Sequence, residues 1–181
     1  MIELSEAQLG KRQDWLRRTL RRLTRPHHPT ISLVSTPQTV LLIAGARPSG
    51  ESPRTAYQRT RIDGVLLNYY EAWARIAASG KFGIEKSYLH IDVIYPEQQT
   101  DTREMLAVHF DPRIPKTTPS FNYMRGPHLH ASGWQKTNLS KRHISLCLQT
   151  IDQICTDIDQ FADAFERAIQ MIDDELLDHV A

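Results

Sequence analysis

Five of the chain's eight histidines fall between Lys86 and Thr150, each in a short segment that alternates like a strand. In Tyr88-Leu89-His90-Ile91-Asp92-Val93, the residues Leu89, Ile91 and Val93 point one way and His90 and Asp92 the other. In the segment from Met105 to Asp111, Leu106, Val108 and Phe110 oppose His109 and Asp111. Pro127 to Ser132 places His128, His130 and Ser132 on one side. His143 to Leu148 sets His143, Ser145 and Cys147 against Ile144, Leu146 and Leu148. Strand side chains alternate with period two, so each segment can bury one face and present the other. If the four pair in one sheet, the result is a polar floor of histidines.

The chemistry of such a floor follows from its donors. His128 and His130, two apart on a strand, have side chains about 6–7 Å apart at their bases and can reach one ion or one phosphate. With His109 and Asp111 from a neighbouring strand, the set offers three nitrogens and a carboxylate. Zinc or manganese accepts such donors. A bound divalent ion makes hydroxide available near neutral pH or clamps a phosphodiester. His128, His130, His143 and Arg125 are then the candidate catalytic residues, with Arg125 neutralising phosphate charge. The metal candidates are His109, Asp111, His128 and His130, and His90 and Asp92 would support them.

Competing readings of the same residues remain open. The histidines can be exposed, or hydrogen-bonded for structural reasons only. His130-Ala131-Ser132 and His143-Ile144-Ser145 both read His-x-Ser, the motif of two-histidine phosphoesterases, in which one histidine is base and the other acid. That family separates its two motifs into distant halves, whereas these lie close together. Cys147 offers a thiol nucleophile beside His143. The stretch from His128 through Gly133 to Cys147, followed by an acidic helix, resembles the His-to-Cys stretch of ubiquitin-conjugating enzymes, which would make Cys147 a thioester carrier. A small buried cysteine is the simpler alternative.

The elements that position these residues can be read from caps and periodicity. Ser5-Glu6-Ala7-Gln8 forms a capping box, with Leu4 and Leu9 placed as a hydrophobic staple. Leu9, Leu16, Leu20 and Leu23 make one stripe of a basic helix that Pro26 stops, over residues 1–25. Thr30 to Val34 and Thr39 to Ala44 read as paired strands, the second covered on both faces. Gly45 to Thr60 reads as a surface loop. Its glycine spacing approaches that of a phosphate-binding loop, but Glu51 stands where that loop needs lysine. Asp63 to Ser79 is expected as a helix, with Leu66, Tyr70, Trp73 and Ala77 as its stripe and Gly80 as its stop. The histidine-bearing sheet occupies 86–150, with Pro96 to Thr102 a polar turn and Pro112 to Pro127 an irregular wall beside the histidines. An acidic helix over 157–177 closes the domain through Ile158, Phe161, Phe165, Ile169, Ile172 and Leu176. The sum is a single α+β domain, with a mainly antiparallel sheet and helices on its apolar face.

Bulk properties fit that picture. The chain has 181 residues and a net charge of +1, so no overall field draws it to nucleic acid or membrane. No apolar run approaches the roughly 20 residues that span a bilayer. No signal-peptide pattern opens the sequence, and two cysteines are too few for a disulfide framework, so a reduced cytoplasmic setting is expected. Charge is unevenly placed. The first helix is basic through Arg17, Arg18, Arg21 and Arg22, and the last is acidic through Asp157 to Asp178. These are solvated faces attracted to each other, or docking surfaces.

Residues 86–170 also resemble the toxin component of TumE-type toxin–antitoxin systems. The resemblance lies in the strand-turn-strand ending in His109-Phe110-Asp111-Pro112, the His128-Leu129-His130 element, and the helix opening at Asp157-Ile158-Asp159-Gln160-Phe161 and continuing through Asp163 and Phe165. It implies a cytoplasmic toxin-like effector that works with a protein partner, an antitoxin or other subunit of the same system, and cuts RNA or a nucleotide. From the residues and the resemblance together, the first expectation is a small phosphodiesterase or nuclease. The alternative is a non-catalytic binding subunit that docks through its charged helices.

Overall fold

The computed structural model describes residues 1–24, 26–45, 56–94, 102–113, 117, 125–131, 142–146 and 151–178. Its strands are β1 (Glu3–Leu4), β2 (Ile31–Ser35), β3 (Thr39–Ala44), β4 (Gln58–Arg59), β5 (Val65–Arg75), β6 (Phe82–Ile94), β7 (Thr102–Phe110), β8 (His128–Ala131) and β9 (Arg142–Ser145). The helices are α1 (Glu6–Thr24), α2 (Ile151–Ile154) and α3 (Ile158–Met171), and α3 runs on into a π-helical turn over Ile172–Leu177. The strands form one antiparallel sheet in the order β2-β3-β5-β6-β7-β8-β9. The two short strands extend it where long neighbours outrun their partners. β4 pairs with Leu66 and Leu67 of β5, beyond the reach of β3, and β1 pairs with Phe82 and Gly83 of β6, beyond the reach of β7. The architecture is α+β, as expected.

The helices lie on one face. Leu16, Leu20 and Leu23 of α1, with Phe165, Ala168, Ile169, Ile172 and Leu177 of α3 and its π turn, bury against Leu42, Val65, Leu67, Tyr69, Leu89, Ile91 and Val108 of the sheet. The capping box forms as predicted: the Ser5 N–H donates to Gln8 Oε1 at 2.8 Å and the Gln8 N–H donates to Ser5 Oγ at 3.3 Å. Asp157 caps α3 by accepting from the Asp159 and Gln160 amides. The π turn adds a residue to the helical period, so Leu177 follows Ile172 onto the buried face. Charge joins the same two helices. Arg22 donates to Asp173 at 2.7 Å and to Asp174 at 3.0 Å, and Arg61 also reaches Asp173 and Asp178.

The expected helix over Asp63 to Ser79 is instead strand β5. Its large apolar residues fall on both faces because both are covered. Val65, Leu67 and Tyr69 lie under the helices, and Tyr70 packs with Ile43 and Ala56 on the other side. With no polar face, strand alternation disappears from the sequence. Gly80, read as a helix stop, has φ 66° and turns the β5–β6 hairpin, where its N–H donates to the Ile76 carbonyl. Helix ends and tight turns ask for the same left-handed glycine. Most of the Gly45–Thr60 loop, the Pro96–Thr102 turn and the Pro112–Pro127 wall, together with Ser132 and Cys147, lie outside the described residues.

Candidate metal centre

The face opposite the helices carries the histidines. Antiparallel register sets His109 on β7 between Tyr88 on β6 and His128 on β8. The next row reads His90 on β6, Ala107 on β7, His130 on β8 and His143 on β9. The alternation that put aliphatic residues under the helices therefore put four imidazoles on adjacent strands. His90, His109, His128 and His130 are all at least nine-tenths buried. Ala107 is the small residue of its row, between His90 and His130. The β9 backbone pairs His143 with His130, but the His143 side chain lies outside the described residues.

His109 is the hub of the cluster. Its ring centroid lies 4.1 Å from that of His130, 5.0 Å from His90 and 5.9 Å from His128, and His128 and His130 are 4.8 Å apart. Tyr88 stacks on its other side at 4.0 Å. One ligand nitrogen from each of His109, His128 and His130 falls within 4.8 Å of the others. Zinc–nitrogen bonds of about 2.0–2.1 Å ask for a somewhat tighter set. His128 Nδ1 lies 2.8 Å from the Gly126 carbonyl oxygen, which only accepts, so Nδ1 carries the hydrogen and Nε2 the lone pair. A backbone carbonyl fixing one imidazole nitrogen is a common way to aim the other at a metal.

Burial first, then the neighbouring His130, His90 and His128, lowers the His109 pKa from 6.5 to about 2. Its ring is therefore neutral at ordinary pH, the state a metal ligand needs. On the same face Asp92 is shifted upward, chiefly by burial.

The other expected site residues are spread more widely. Asp111 accepts from the Tyr88 hydroxyl and lies outside the three-nitrogen group. Through Tyr88 it is tied to the ring stacked on His109. Arg125 donates to Asp152 at 2.6 Å, at the entry to α2. Cys155, the chain's other cysteine and not an expected site residue, is buried, and burial raises its thiol pKa.

Glu104 is the site residue that sequence reasoning missed. Simple alternation places it with Leu106 and Val108, facing the helices. A bulge pairs Ile91 with Leu106 but Asp92 with Glu104, leaving Met105 as the extra residue. That extra residue turns Glu104 onto the histidine face, where Oε2 lies 2.8 Å from His90 Nδ1. No local feature of the sequence marks the bulge.

Comparison with family models, with curated proteins and with solved structures returns no match for this chain. Among the described residues, no helix is long and apolar enough to cross a membrane.

Proposed function

We propose that this chain is a metal-dependent hydrolase of phosphodiester bonds, with His109, His128 and His130 holding a divalent ion, zinc or manganese. The observation that carries the reading is the convergence of three buried imidazole nitrogens from two neighbouring strands. Three imidazole nitrogens suit a borderline ion and leave it a fourth position for water, whose acidity the ion raises toward neutrality. The phosphodiester as substrate, an RNA or nucleotide, and a toxin-like cytoplasmic role with a protein partner rest on the resemblance over residues 86–170. Arg125 is the cation nearest in sequence to the ligands, and its link to Asp152 keeps it part-buried. The test is elemental analysis of chelator-free protein beside His128→Ala/His130→Ala, followed by cleavage of bis(4-nitrophenyl) phosphate and of RNA. Near-stoichiometric metal, lost with activity in a variant that stays folded, is the expected result. A wild type that takes up neither zinc nor manganese sinks the proposal.

The binding-subunit alternative relied on the two charged helices. Their charges are partly spent on each other, through Arg22 with Asp173 and Asp174. Arg17 likewise pairs with Asp14 within α1. That weakens the case for α1 as a free basic docking face.

A further inference from the structure

His90 is the buried histidine that the three-ligand set leaves out. It is 5% exposed, and its ring centroid lies 5.0 Å from that of His109. Its Nδ1 sits 2.8 Å from Glu104 Oε2. A carboxylate accepts, so Nδ1 holds the hydrogen, and in that tautomer Nε2 carries the lone pair. That Nε2 is buried and has no hydrogen-bond partner. A buried acceptor with no donor points to a donor that arrives from elsewhere.

His90 is poorly placed to be that ion's ligand. The nitrogens that gather within 4.8 Å come from His109, His128 and His130 and not from His90. Ala107 on β7 separates His90 from His130, which puts their backbones two strand spacings apart, about 9–10 Å. A group at the margin of a three-nitrogen centre is suited to meet what occupies the fourth position. A water there presents hydrogens outward. We propose that His90, its tautomer fixed by Glu104, is the acceptor that positions the water on an ion held by His109, His128 and His130. This rests on the metal-centre reading. His90 is thus a positioning residue, and the Met105 bulge exists on this account to deliver Glu104 to it.

The test uses the full chain loaded with zinc or cobalt(II), comparing wild type, His90→Ala, His90→Gln and His128→Ala. Zinc affinity is measured by chelator competition, and X-ray absorption counts the imidazoles on the ion. The visible spectrum of the cobalt protein against pH follows the bound water's loss of its proton. Expected are three imidazoles and one oxygen, and zinc affinity in His90→Ala within about threefold of wild type, against a loss of about 100-fold or more in His128→Ala. The pH midpoint of the cobalt spectrum should move by about half a unit or more in His90→Ala. His90→Gln, whose amide oxygen still accepts, should recover most of that shift. Four imidazoles, or a His128-like loss of zinc in His90→Ala, would make His90 a ligand and overturn the inference while leaving the metal centre standing. An unmoved midpoint, or no transition in the wild type, also overturns it. A wild type that binds neither ion removes the metal centre and the inference together.

Discussion

The sheet buries two polar clusters, one on each face, and they are finished in opposite ways. Under the helices, the Glu71 carboxylate accepts from Arg12 Nε at 3.1 Å, Arg12 Nη2 at 2.7 Å, Trp73 Nε1 at 3.0 Å and the Tyr69 hydroxyl. Ser87 is bonded to the same hydroxyl, and the Arg12 guanidinium lies over the Trp15 ring. Burial first, then the charge of Glu71, pushes the Tyr69 pKa well above the usual phenol range, so the hydroxyl stays a donor. For Arg12, burial pulls downward but Glu71 and Tyr69 outweigh it, and the guanidinium keeps its charge. Across the sheet, by contrast, His90 Nε2 and His109 Nε2 are buried nitrogens with no hydrogen-bond partner. Both clusters cost desolvation. The first recovers it within the chain, and on the proposed reading the second recovers it by binding an ion.

The sharpest way to break this contrast is to remove ligands. His128→Ala/His130→Ala should abolish metal uptake while far-ultraviolet circular dichroism stays that of the wild type. Unfolding of the variant would move the histidines into the structural class with Glu71. Next in size, Arg12→Ala leaves a buried carboxylate uncompensated and should lower unfolding stability by about 3–5 kcal/mol in chemical denaturation. Zinc affinity of the fraction that remains folded should be unchanged. A variant as stable as wild type would show that the Glu71 network holds nothing together.

Acidification separates the clusters without mutation. The folded pKa of His109 lies below its unfolded value of 6.5, so below about pH 6.5 the unfolded chain takes up a proton that the folded chain refuses. Stability of the metal-free protein should therefore fall between pH 6.5 and the folded value of about 2, by up to about 1.4 kcal/mol per pH unit from this group. Melting temperatures of chelator-treated protein from pH 7 to pH 5 measure this, and His109→Gln should flatten the dependence. The smallest effect belongs to the surface. Arg22 is 39% exposed, so Arg22→Ala should cost under about 1 kcal/mol, and less in high salt. A larger loss would mean that the α1–α3 charge pairing is part of the core.

Much of the histidine face could be read directly. Period-two alternation in β6, β7 and β8 places His90, His109, His128 and His130 opposite the aliphatic residues whatever the strand order. The capping box at Ser5 was equally legible, because its partners lie within three residues. β5 was not. Its burial on both faces erased the periodicity, and its bounding glycine suits a helix end as well as a hairpin. Since β5 carries Tyr69, Glu71 and Trp73, the whole Arg12 network was hidden with it.

The sequence by itself determined that His90, His109, His128 and His130 oppose the aliphatic residues of their strands, because within an unbulged stretch that depends only on the parity of positions. It also placed the start of α1, because the Ser5–Gln8 capping box is a local hydrogen-bonding matter. Tertiary structure decided that β7 lies between β6 and β8, so that His109 stands among the other three rings. It also decided that one extra residue at Met105 turns Glu104 toward His90. Strand order and bulges come from pairing between segments distant in the chain, and no local pattern of residues encodes them.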